Sequence, residues 1–375
     1  MKALVCIKPG ELEYRETDAP MAGPGQAIIK IRRIGICGTD LHAFEGTQPY
    51  FEYPRILGHE LAGDLVDFDG APGFVPGEAV TVIPYFNCGT CMACRNGKPN
   101  CCVMLKVCGV HIDGGMVDYL AVPSTSLVHG RGLNYEQLAL VEPLAIGAHA
   151  IRRAGLRAGE FVLVVGAGPI GLGTMEAARI AGGEVIAMDI HEGRLRFCRE
   201  RLGVLHTVIA GGGGRGAEGG GGPAGEGAGR GVQGGGRVEE GDDGRAGEGG
   251  SAMEEIKHIT RGEMPAVVVD ATGSLRAIDE GFRFMAHGGR YVLVGLQKGS
   301  IRFSQPEFHK REGTLMSSRN ATRQDFDQVM ENMKRQLIDP AVYITHRVGF
   351  GEVKAEFAGW LDPARGVIKA MVEKD

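Results

Sequence analysis

The sequence lacks any run of about eighteen consecutive apolar residues, so it offers no segment that could cross a bilayer as a helix. Its first residues, MKALVCIKPGELEYRE, also lack a positively charged lead into an apolar core. Lysine and arginine are scattered and the formal net charge is -5, which leaves no basic stripe to follow a phosphate backbone. We therefore expect a cytoplasmic protein with no membrane and no nucleic acid among its partners.

The pattern of apolar residues predicts two domains in the 375-residue chain. Up to about Val122, short alternating stretches such as AIIKIRRIGI are separated by Gly and Pro turns, as in a β-rich, barrel-like domain. From Leu156, strands and helices alternate, which indicates a doubly wound α/β domain with a parallel sheet. The tail after about Ser318, with one helix near 325–335, has no sheet pattern of its own and should return to the first domain. We predict domains at 1–150, completed by 319–375, and at 151–318.

The stretch VLVVGAGPIGLG predicts a dinucleotide-binding turn. Gly166, Gly168 and Gly171, with Pro169 and Ile170 between the last two, follow an apolar strand and precede a helix, the context in which G-x-G-x-x-G binds a pyrophosphate. Asp189 ends the next strand, EVIAMDI, where a carboxylate bonds ribose hydroxyls and repels a 2'-phosphate. NAD is therefore expected rather than NADP. Arg194 could lie along the adenosine or simply be solvated.

Four of the nine cysteines form one short cluster, NCGTCMACRNGKPNCC. Cys88, Cys91, Cys94 and Cys102 have the spacing C-x2-C-x2-C-x7-C, which favours a closed tetrahedral zinc site of structural type. Cys101 competes as the fourth ligand, although the spacing favours Cys102. The isolated cysteines are interpreted as small buried apolar residues: Cys6, Cys108 and Cys198.

Three further motifs, GICGTDLH, ILGHE and VEPLAIGAHA, complete a pattern that closely resembles the zinc-dependent medium-chain alcohol and polyol dehydrogenases. The resemblance covers nearly the whole chain except 211–250, and it implies a GroES-like catalytic domain beside the Rossmann domain. It makes Cys37 and His59 catalytic zinc ligands, with Glu142 as the third. Glu60 is either a fourth ligand or a carboxylate behind the metal. Asp40 is the carboxylate that orients His59.

The resemblance also implies a reaction. A zinc ion would lower the pKa of a bound alcohol, and hydride would pass from the alcohol carbon to the nicotinamide. Thr39 would bond the substrate oxygen and pass its proton toward His42, for which a plain surface histidine is the alternative. Each chain would hold one catalytic and one structural zinc. Family members are usually dimers or tetramers, so a homodimer or homotetramer is expected, and the strand RYVLVGL could extend a sheet between subunits.

The substrate is a small-molecule alcohol, and the motifs YPRILGHE, GVHIDGG and SSRNAT resemble a branch that acts on polyols, sugars and sugar acids. Candidate substrate contacts are His111, Tyr50, Phe51 and Arg319, each of which could also serve packing. Three rivals stay open: an L-threonine or simple secondary alcohol dehydrogenase, a zinc- and NAD-binding regulatory protein without turnover, and a quinone reductase lacking zinc.

A glycine-rich run occupies 211–250, where more than half of the residues are glycine. It falls between the third predicted strand of the nucleotide domain and the next helix, at the expected edge of the sheet. Its composition is typical of a disordered, solvated loop. A phosphate cradle is a second interpretation, and a shifted reading frame in a GC-rich gene is a third.

Overall fold

A computed structural model describes residues 1–49, 51–69, 73–211 and 249–375. The candidate contact Tyr50 and residues 212–248 of the glycine-rich run lie outside the described residues. Within the described ranges, no helix combines the length and the apolar character that a membrane span requires.

The first part of the chain is rich in strands, as predicted. Its strands are β1 (Lys2–Lys8), β2 (Glu11–Glu16), β3 (Gln26–Ile36), β4 (Arg55–Ile56), β5 (Glu60–Phe68), β6 (Ala79–Val82), β7 (Tyr85–Phe86), β8 (Lys106–Val107), β9 (Tyr119–Pro123) and β10 (Leu127–His129). Its helices are α1 (Gly38–Glu45), α2 (Met92–Arg95), α3 (Tyr135–Ala139) and α4 (Val141–Ala154). The strand β3, QAIIKIRRIGI, is rich in β-branched isoleucine and largely buried, and it pairs with both β5 and β9.

The second part forms a parallel six-stranded sheet with helices between its strands. The strands are β11 (Phe161–Val165), β12 (Glu184–Asp189), β13 (His206–Ile209), β14 (Val267–Asp270), β15 (Arg290–Leu293) and β16 (Thr314–Ser317). The helices are α5 (Pro169–Ile180), α6 (Glu192–Leu202), α7 (Gly249–Ile259), α8 (Leu275–Gly281) and α9 (Gln305–Lys310). The order β13-β12-β11-β14-β15-β16 is the doubly wound order that the sequence predicts, with the third strand at one edge.

Two details of this sheet differ from the sequence prediction. The stretch RYVLVGL forms β15, which lies between β14 and β16, so it is not free to extend the sheet to another subunit. The opposite edge is β16, a strand that the apolar pattern of TLMS was too short to reveal. The helix α8 ends at Gly281 and continues as a single 3-10 turn over Phe282–Phe284.

The C-terminal part returns to the first sheet. It contains α10 (Arg323–Lys334), β17 (Ile344–Gly349), α11 (Val353–Glu356) and β18 (Lys369–Glu373). The strand β18 pairs antiparallel with β3 and parallel with β17, which completes a seven-stranded sheet. The tail therefore does contain strands, contrary to the sequence prediction. The strand β18 pairs with β3, which lies more than 300 residues earlier in the chain, so local periodicity did not reveal β18.

The helices α4 and α5 connect the two sheets. A Cβ atom at Gly147 of α4 would lie 2.5 Å from the backbone nitrogen of Thr174 on α5, so the two helices touch at a position that only glycine allows. Their apolar faces share one core, which includes Leu144 and Leu172. This close crossing fixes the first turn of α4, which carries Glu142, relative to the glycine turn that begins α5.

Candidate active site and metal centres

The turn between β11 and α5 has the geometry of a phosphate-binding loop. Gly166 has φ of +97°, in the left-handed region. A Cβ atom at Gly171 would lie 1.7 Å from the carbonyl oxygen of Gly166, so the turn closes only on glycine. Gly168 is the N-cap of α5 with no side-chain cap, and a Cβ atom there would meet nothing within 4 Å. Open space therefore lies in front of uncapped backbone N–H groups, which fits a pyrophosphate.

Asp189 stands at the end of β12, beside this turn. One carboxylate oxygen accepts a hydrogen bond from Ala167 N at 2.7 Å, and the other accepts from His191 N at 2.8 Å. The guanidinium of Arg194 lies 3.8 Å away and is about half exposed. The carboxylate is thus fixed in place by the backbone, while Arg194 can move.

The four clustered cysteines meet in space. The sulfur atoms of Cys88, Cys91, Cys94 and Cys102 all lie within 4.8 Å of one another, whereas Cys101 is exposed and outside this group. Hydrogen bonds from the Thr90 hydroxyl and from backbone N–H groups lower the pKa of Cys88 to about 6. Four sulfur atoms that can all reach one point fit a closed zinc site. The isolated cysteines are buried, as expected: Cys6, Cys108 and Cys198.

A second group of metal-binding side chains lies in the interior. The ligand atoms of Cys37, His59 and Glu60 fall within 4.8 Å of one another. Thiolate, imidazole and carboxylate together form a donor set that zinc accepts. The carboxylate of Glu60, whose role the sequence left open, thus lies beside the sulfur of Cys37 and the imidazole of His59.

Asp40 supports the backbone on both sides of this group. Its two carboxylate oxygens accept hydrogen bonds from Cys37 N at 2.9 Å and Gly58 N at 3.1 Å, so it holds the backbone on either side of the cluster. His59 Nδ1 lies 3.7 Å from Asp40 and has no hydrogen-bond partner among the described residues. Burial alone would lower the pKa of His59, but the charges of Asp40 and Cys37 outweigh it and raise that pKa well above its usual value.

Glu142 lies outside this ligand group. It is buried in the first turn of α4 and accepts a hydrogen bond from the hydroxyl of Tyr85. Burial raises the pKa of Glu142 to about 7; the charge of His59 opposes this shift and that of Glu60 adds to it. The expected third ligand is therefore held by a tyrosine next to the cluster. Tyr85 was not singled out from the sequence, because its partner is 57 residues away.

Lys369 is the other residue that sequence reasoning missed. Its ammonium group is buried, bridges both carboxylate oxygens of Glu60, and donates to the carbonyl of Ile36 at 3.0 Å. A Cβ atom at position 35 would lie 2.0 Å from the Glu60 carboxylate, so Gly35 makes room for this pair. The lysine comes from β18, the strand that the sequence pattern did not predict.

The proposed proton path begins on α1. Thr39 is partly buried, whereas His42 is exposed and its Nδ1 lies 3.2 Å from both Glu45 Oε2 and Thr47 Oγ1. Among the described residues, no hydrogen bond joins Thr39 to His42. The helix places them one turn apart, between the buried cluster and the solvent.

Two of the substrate-contact candidates, Arg319 and His111, lie near each other. Arg319 is exposed, and burial together with the charges of Arg319 and Arg55 lowers the pKa of His111. Next to Arg319, Ser318 Oγ and Asn320 Nδ2 are buried without a partner in the described part of the chain, whereas such groups usually find a hydrogen bond. Phe51 instead packs on Tyr53, with ring centroids 4.7 Å apart.

Comparisons with known proteins define the class. The family described as "Alcohol dehydrogenase GroES-like domain" matches residues 23–131, and "Zinc-binding dehydrogenase" matches residues 245–335. The chain is 38% identical over 373 residues to the L-galactonate-5-dehydrogenase of Escherichia coli K12, covering 99% of this chain and 98% of that relative. The chain belongs to the zinc-type medium-chain alcohol dehydrogenases, and it is an oxidoreductase that acts on CH–OH groups.

Two solved structures share the whole fold. An alcohol dehydrogenase from Escherichia coli CFT073, in complex with NADH, has a TM-score of 0.83 at 25% identity, with coverage of 100% of this chain and 99% of that one. A zinc-binding dehydrogenase from Sinorhizobium meliloti 1021, bound to NADP, has a TM-score of 0.80 at 25% identity and the same coverage. The GroES-like and Rossmann architecture expected from the sequence is thereby confirmed, and so is a zinc-dependent dehydrogenase with a nicotinamide cofactor.

Proposed function

We propose that this enzyme oxidises a secondary alcohol group of a sugar acid and transfers the hydride to NAD. The observation that carries the proposal is the group of Cys37, His59 and Glu60, in which Cys37 is half-buried and the other two are buried, with the exposed Arg319 beside His111. Three protein ligands leave a tetrahedral ion one position for an alcohol oxygen. We infer that the Arg319 guanidinium binds the carboxylate of a sugar acid held at that position. The similarity to a protein named L-galactonate-5-dehydrogenase supports this substrate class.

Several residues of this chain have separate roles in the proposed reaction. When bound, zinc lowers the pKa of an alcohol. The Thr39 hydroxyl binds the substrate hydroxyl and, as it takes the substrate proton, releases its own proton toward His42, which passes one proton to the solvent. Lys369 holds Glu60 by a buried ion pair, and Asp40 fixes the backbone of Cys37. Tyr85 holds Glu142 beside the cluster, where its carboxylate is available as a further zinc ligand.

The cofactor is NAD rather than NADP. The carboxylate of Asp189 is fixed at the end of β12 by Ala167 and His191, where it bonds ribose hydroxyls. A 2'-phosphate beside this carboxylate would be repelled, and Arg194 is the only cation within 4 Å of it in the described part of the chain.

The proposal extends to the architecture. The catalytic domain spans 1–150 and is completed by 319–375, and the NAD-binding domain spans 151–318. The cysteine group holds a second, structural zinc, and the enzyme is a cytoplasmic homodimer or homotetramer. A regulatory protein without turnover would keep both zinc groups and the glycine turn but produce no NADH.

The test is a screen for NAD and NADP reduction with aldonates, uronates, neutral polyols, L-threonine and a simple secondary alcohol, with zinc counted per chain. We expect activity on an aldonate with NAD and two zinc ions per chain. The double variant Arg319→Ala/His111→Ala should lose the preference for the aldonate over its neutral polyol, whereas the exposed control Arg335→Ala should keep it. A preference for L-threonine, or no NADH with any substrate, would overturn the proposal.

A further inference from the structure

Asn100 links the cysteine group to the substrate side of the protein. It lies in the 3-10 turn Pro99–Cys101, within the segment 88–102 that carries the four clustered cysteines, and we call this segment the cysteine lobe. Its side chain is only 5% exposed. The amide nitrogen Nδ2 donates to the carbonyl oxygen of Arg319 at 2.9 Å and lies 3.2 Å from His149 Nε2.

The histidine makes this contact specific for an amide. Nδ1 of His149 lies 2.9 Å from Asp325 Oδ2 and 3.0 Å from the Arg152 guanidinium, and a neutral ring that donates from Nδ1 to the ionised carboxylate leaves Nε2 unprotonated. Nε2 is then an acceptor. The two hydrogens of the Asn100 amide therefore have two acceptors, Arg319 O and His149 Nε2, and neither an aspartate nor an aliphatic side chain can supply both.

Several hydrogen bonds hold the loop 317–322. Near its start, Arg153 Nε donates to Ser317 O at 2.5 Å and Ser318 N donates to Leu293 O at 2.8 Å, and at its end Thr322 N donates to Asp325 Oδ2 at 2.8 Å. Among these bonds, the one from Asn100 to Arg319 O holds the middle of the loop. The next residue, Asn320, has φ of +54°, in the left-handed region, so the backbone turns sharply just after this carbonyl. The Asn100 hydrogen bond therefore holds the backbone that carries the Arg319 side chain.

We propose that Asn100 is a positioning residue for substrate specificity: the cysteine lobe, through the Asn100 amide, holds the Arg319 backbone so that the guanidinium meets the substrate carboxylate. This inference rests on the proposed role of Arg319. It gives the cysteine lobe a part in substrate selection in addition to its metal.

The test compares Asn100→Leu, which keeps the size of the side chain but removes both donors, with Asn96→Leu. Asn96 is exposed in the same lobe and serves as the matched control. Two measurements are made on the zinc-loaded enzyme: kcat and KM for an aldonate and for its neutral polyol, and deuterium exchange of the peptide that covers 317–322. We expect Asn100→Leu to raise KM for the aldonate about fivefold, the effect of one lost hydrogen bond. The kcat value and the kinetics with the polyol should change less than about twofold.

Exchange in 317–322 should be faster in Asn100→Leu and unchanged in Asn96→Leu. The double variant Asn100→Leu/Arg319→Ala should be no worse on the aldonate than Arg319→Ala alone, because both changes act through one interaction. Equal losses on both substrates, additive losses in the double variant, or unchanged exchange would overturn the proposal. If Asn100→Leu loses zinc or fails to fold, Asn100→Asp, which cannot donate either hydrogen bond, takes its place with Asn96→Asp as control.

The same data separate this proposal from the proposed function. Faster exchange in 317–322 with unchanged substrate preference in both Asn100→Leu and Arg319→Ala would retain the positioning of the loop and reject the carboxylate contact. In that outcome the specificity role of Asn100 is rejected as well. Loss of preference in Arg319→Ala with unchanged preference and exchange in Asn100→Leu would retain the proposed function and reject the positioning role.

Discussion

The ammonium group of Lys369 lies 2.6 Å from one carboxylate oxygen of Glu60 and 2.7 Å from the other, and both side chains are buried. A buried carboxylate that loses a hydrogen-bonded cationic partner is destabilised, typically by about 3 kcal/mol or more. In the zinc-stripped protein, Lys369→Met should therefore lower the free energy of unfolding by about 3 kcal/mol in urea titration. The loss of unfolding free energy should be smaller with zinc bound, because the positive charge of the metal also compensates the charge of the Glu60 carboxylate.

A matched control exists on the surface. Lys8 and Glu11 are 3.0 Å apart, but about half or more of each side chain is exposed. Lys8→Met should change the free energy of unfolding by less than about 1 kcal/mol. Equal effects of the two substitutions would show that the interior pair is not special.

Two glycines of the turn between β11 and α5 allow stability and cofactor binding to be tested separately. Because a Cβ atom at Gly171 would lie 1.7 Å from Gly166 O, Gly171→Ala should lower both thermal stability and NAD binding. Gly168→Ala meets open space and should leave the melting temperature unchanged. The added methyl group would stand where a pyrophosphate approaches, so we expect its Kd for NAD to rise about tenfold, or about 1.4 kcal/mol. Calorimetric titration and thermal unfolding of both variants provide the check; unaltered NAD affinity in Gly168→Ala would place the pyrophosphate elsewhere.

Cys101 and Cys102 are adjacent in the chain, so substituting each in turn tests which of them is the fourth ligand of the cysteine lobe. Cys102 Sγ belongs to the group of four, and Cys101 is exposed outside it. Cys102→Ser should reduce zinc by one ion per chain, because a hydroxyl is a much poorer zinc ligand than a thiolate. Cys101→Ser should keep the full zinc content. Metal analysis of the two purified variants decides the matter, and the reverse result would reassign the fourth ligand.

The residues that could be read from the sequence are those whose chemistry is local in the chain. The three glycines of the turn and the four cysteines have fixed short spacings, and the parallel sheet follows from alternating strands and helices. Lys369 and Tyr85 could not be found in this way, because their partners are 309 and 57 residues away. The family resemblance implies Glu142 as the third zinc ligand and leaves the role of Glu60 open. In the structure Lys369 holds the Glu60 carboxylate within 4.8 Å of the ligand atoms of Cys37 and His59, and Tyr85 holds that of Glu142.

The stability of the protein should depend on pH through Asp325. Burial alone would raise the pKa of this carboxyl, but hydrogen bonds from His149, Arg152 and Thr322 lower it well below its usual range. Because the folded-state pKa lies below the unfolded value of about 4, the stabilisation is present above about pH 4 and is lost as the pH falls through the folded-state value. Asp325→Asn should lower the free energy of unfolding by about 3 kcal/mol at pH 7.

In Asp325→Asn the decline of stability toward acid should also be shallower, because the titrating group is gone. Asp327→Asn is the control, since Asp327 pairs with Arg323 on the surface of the same helix. Urea unfolding between pH 3 and pH 7 measures both effects. An acid branch in Asp325→Asn as steep as in the parent enzyme would show that other carboxyl groups carry the dependence.

Removal of residues 212–248 tests what the glycine-rich run contributes. The described chain reaches Gly211 after β13, an edge strand, and resumes at α7, whose Ala252 and Ile256 share a core with Val208 of β13. The glycine turn follows β11 and Asp189 ends β12, so the residues proposed for the cofactor and for the metals all lie outside the run. Replacing it with a linker of about five residues should lower the entropic cost of closing this loop by about 2 kcal/mol of free energy. We therefore expect an unfolding free energy no lower than that of the parent, with zinc content, kcat and the Kd for NAD within about twofold. Loss of NAD binding in the shortened enzyme would instead support the phosphate-cradle interpretation of the run, and failure to recover its peptides by mass mapping of the native protein would support the shifted reading frame.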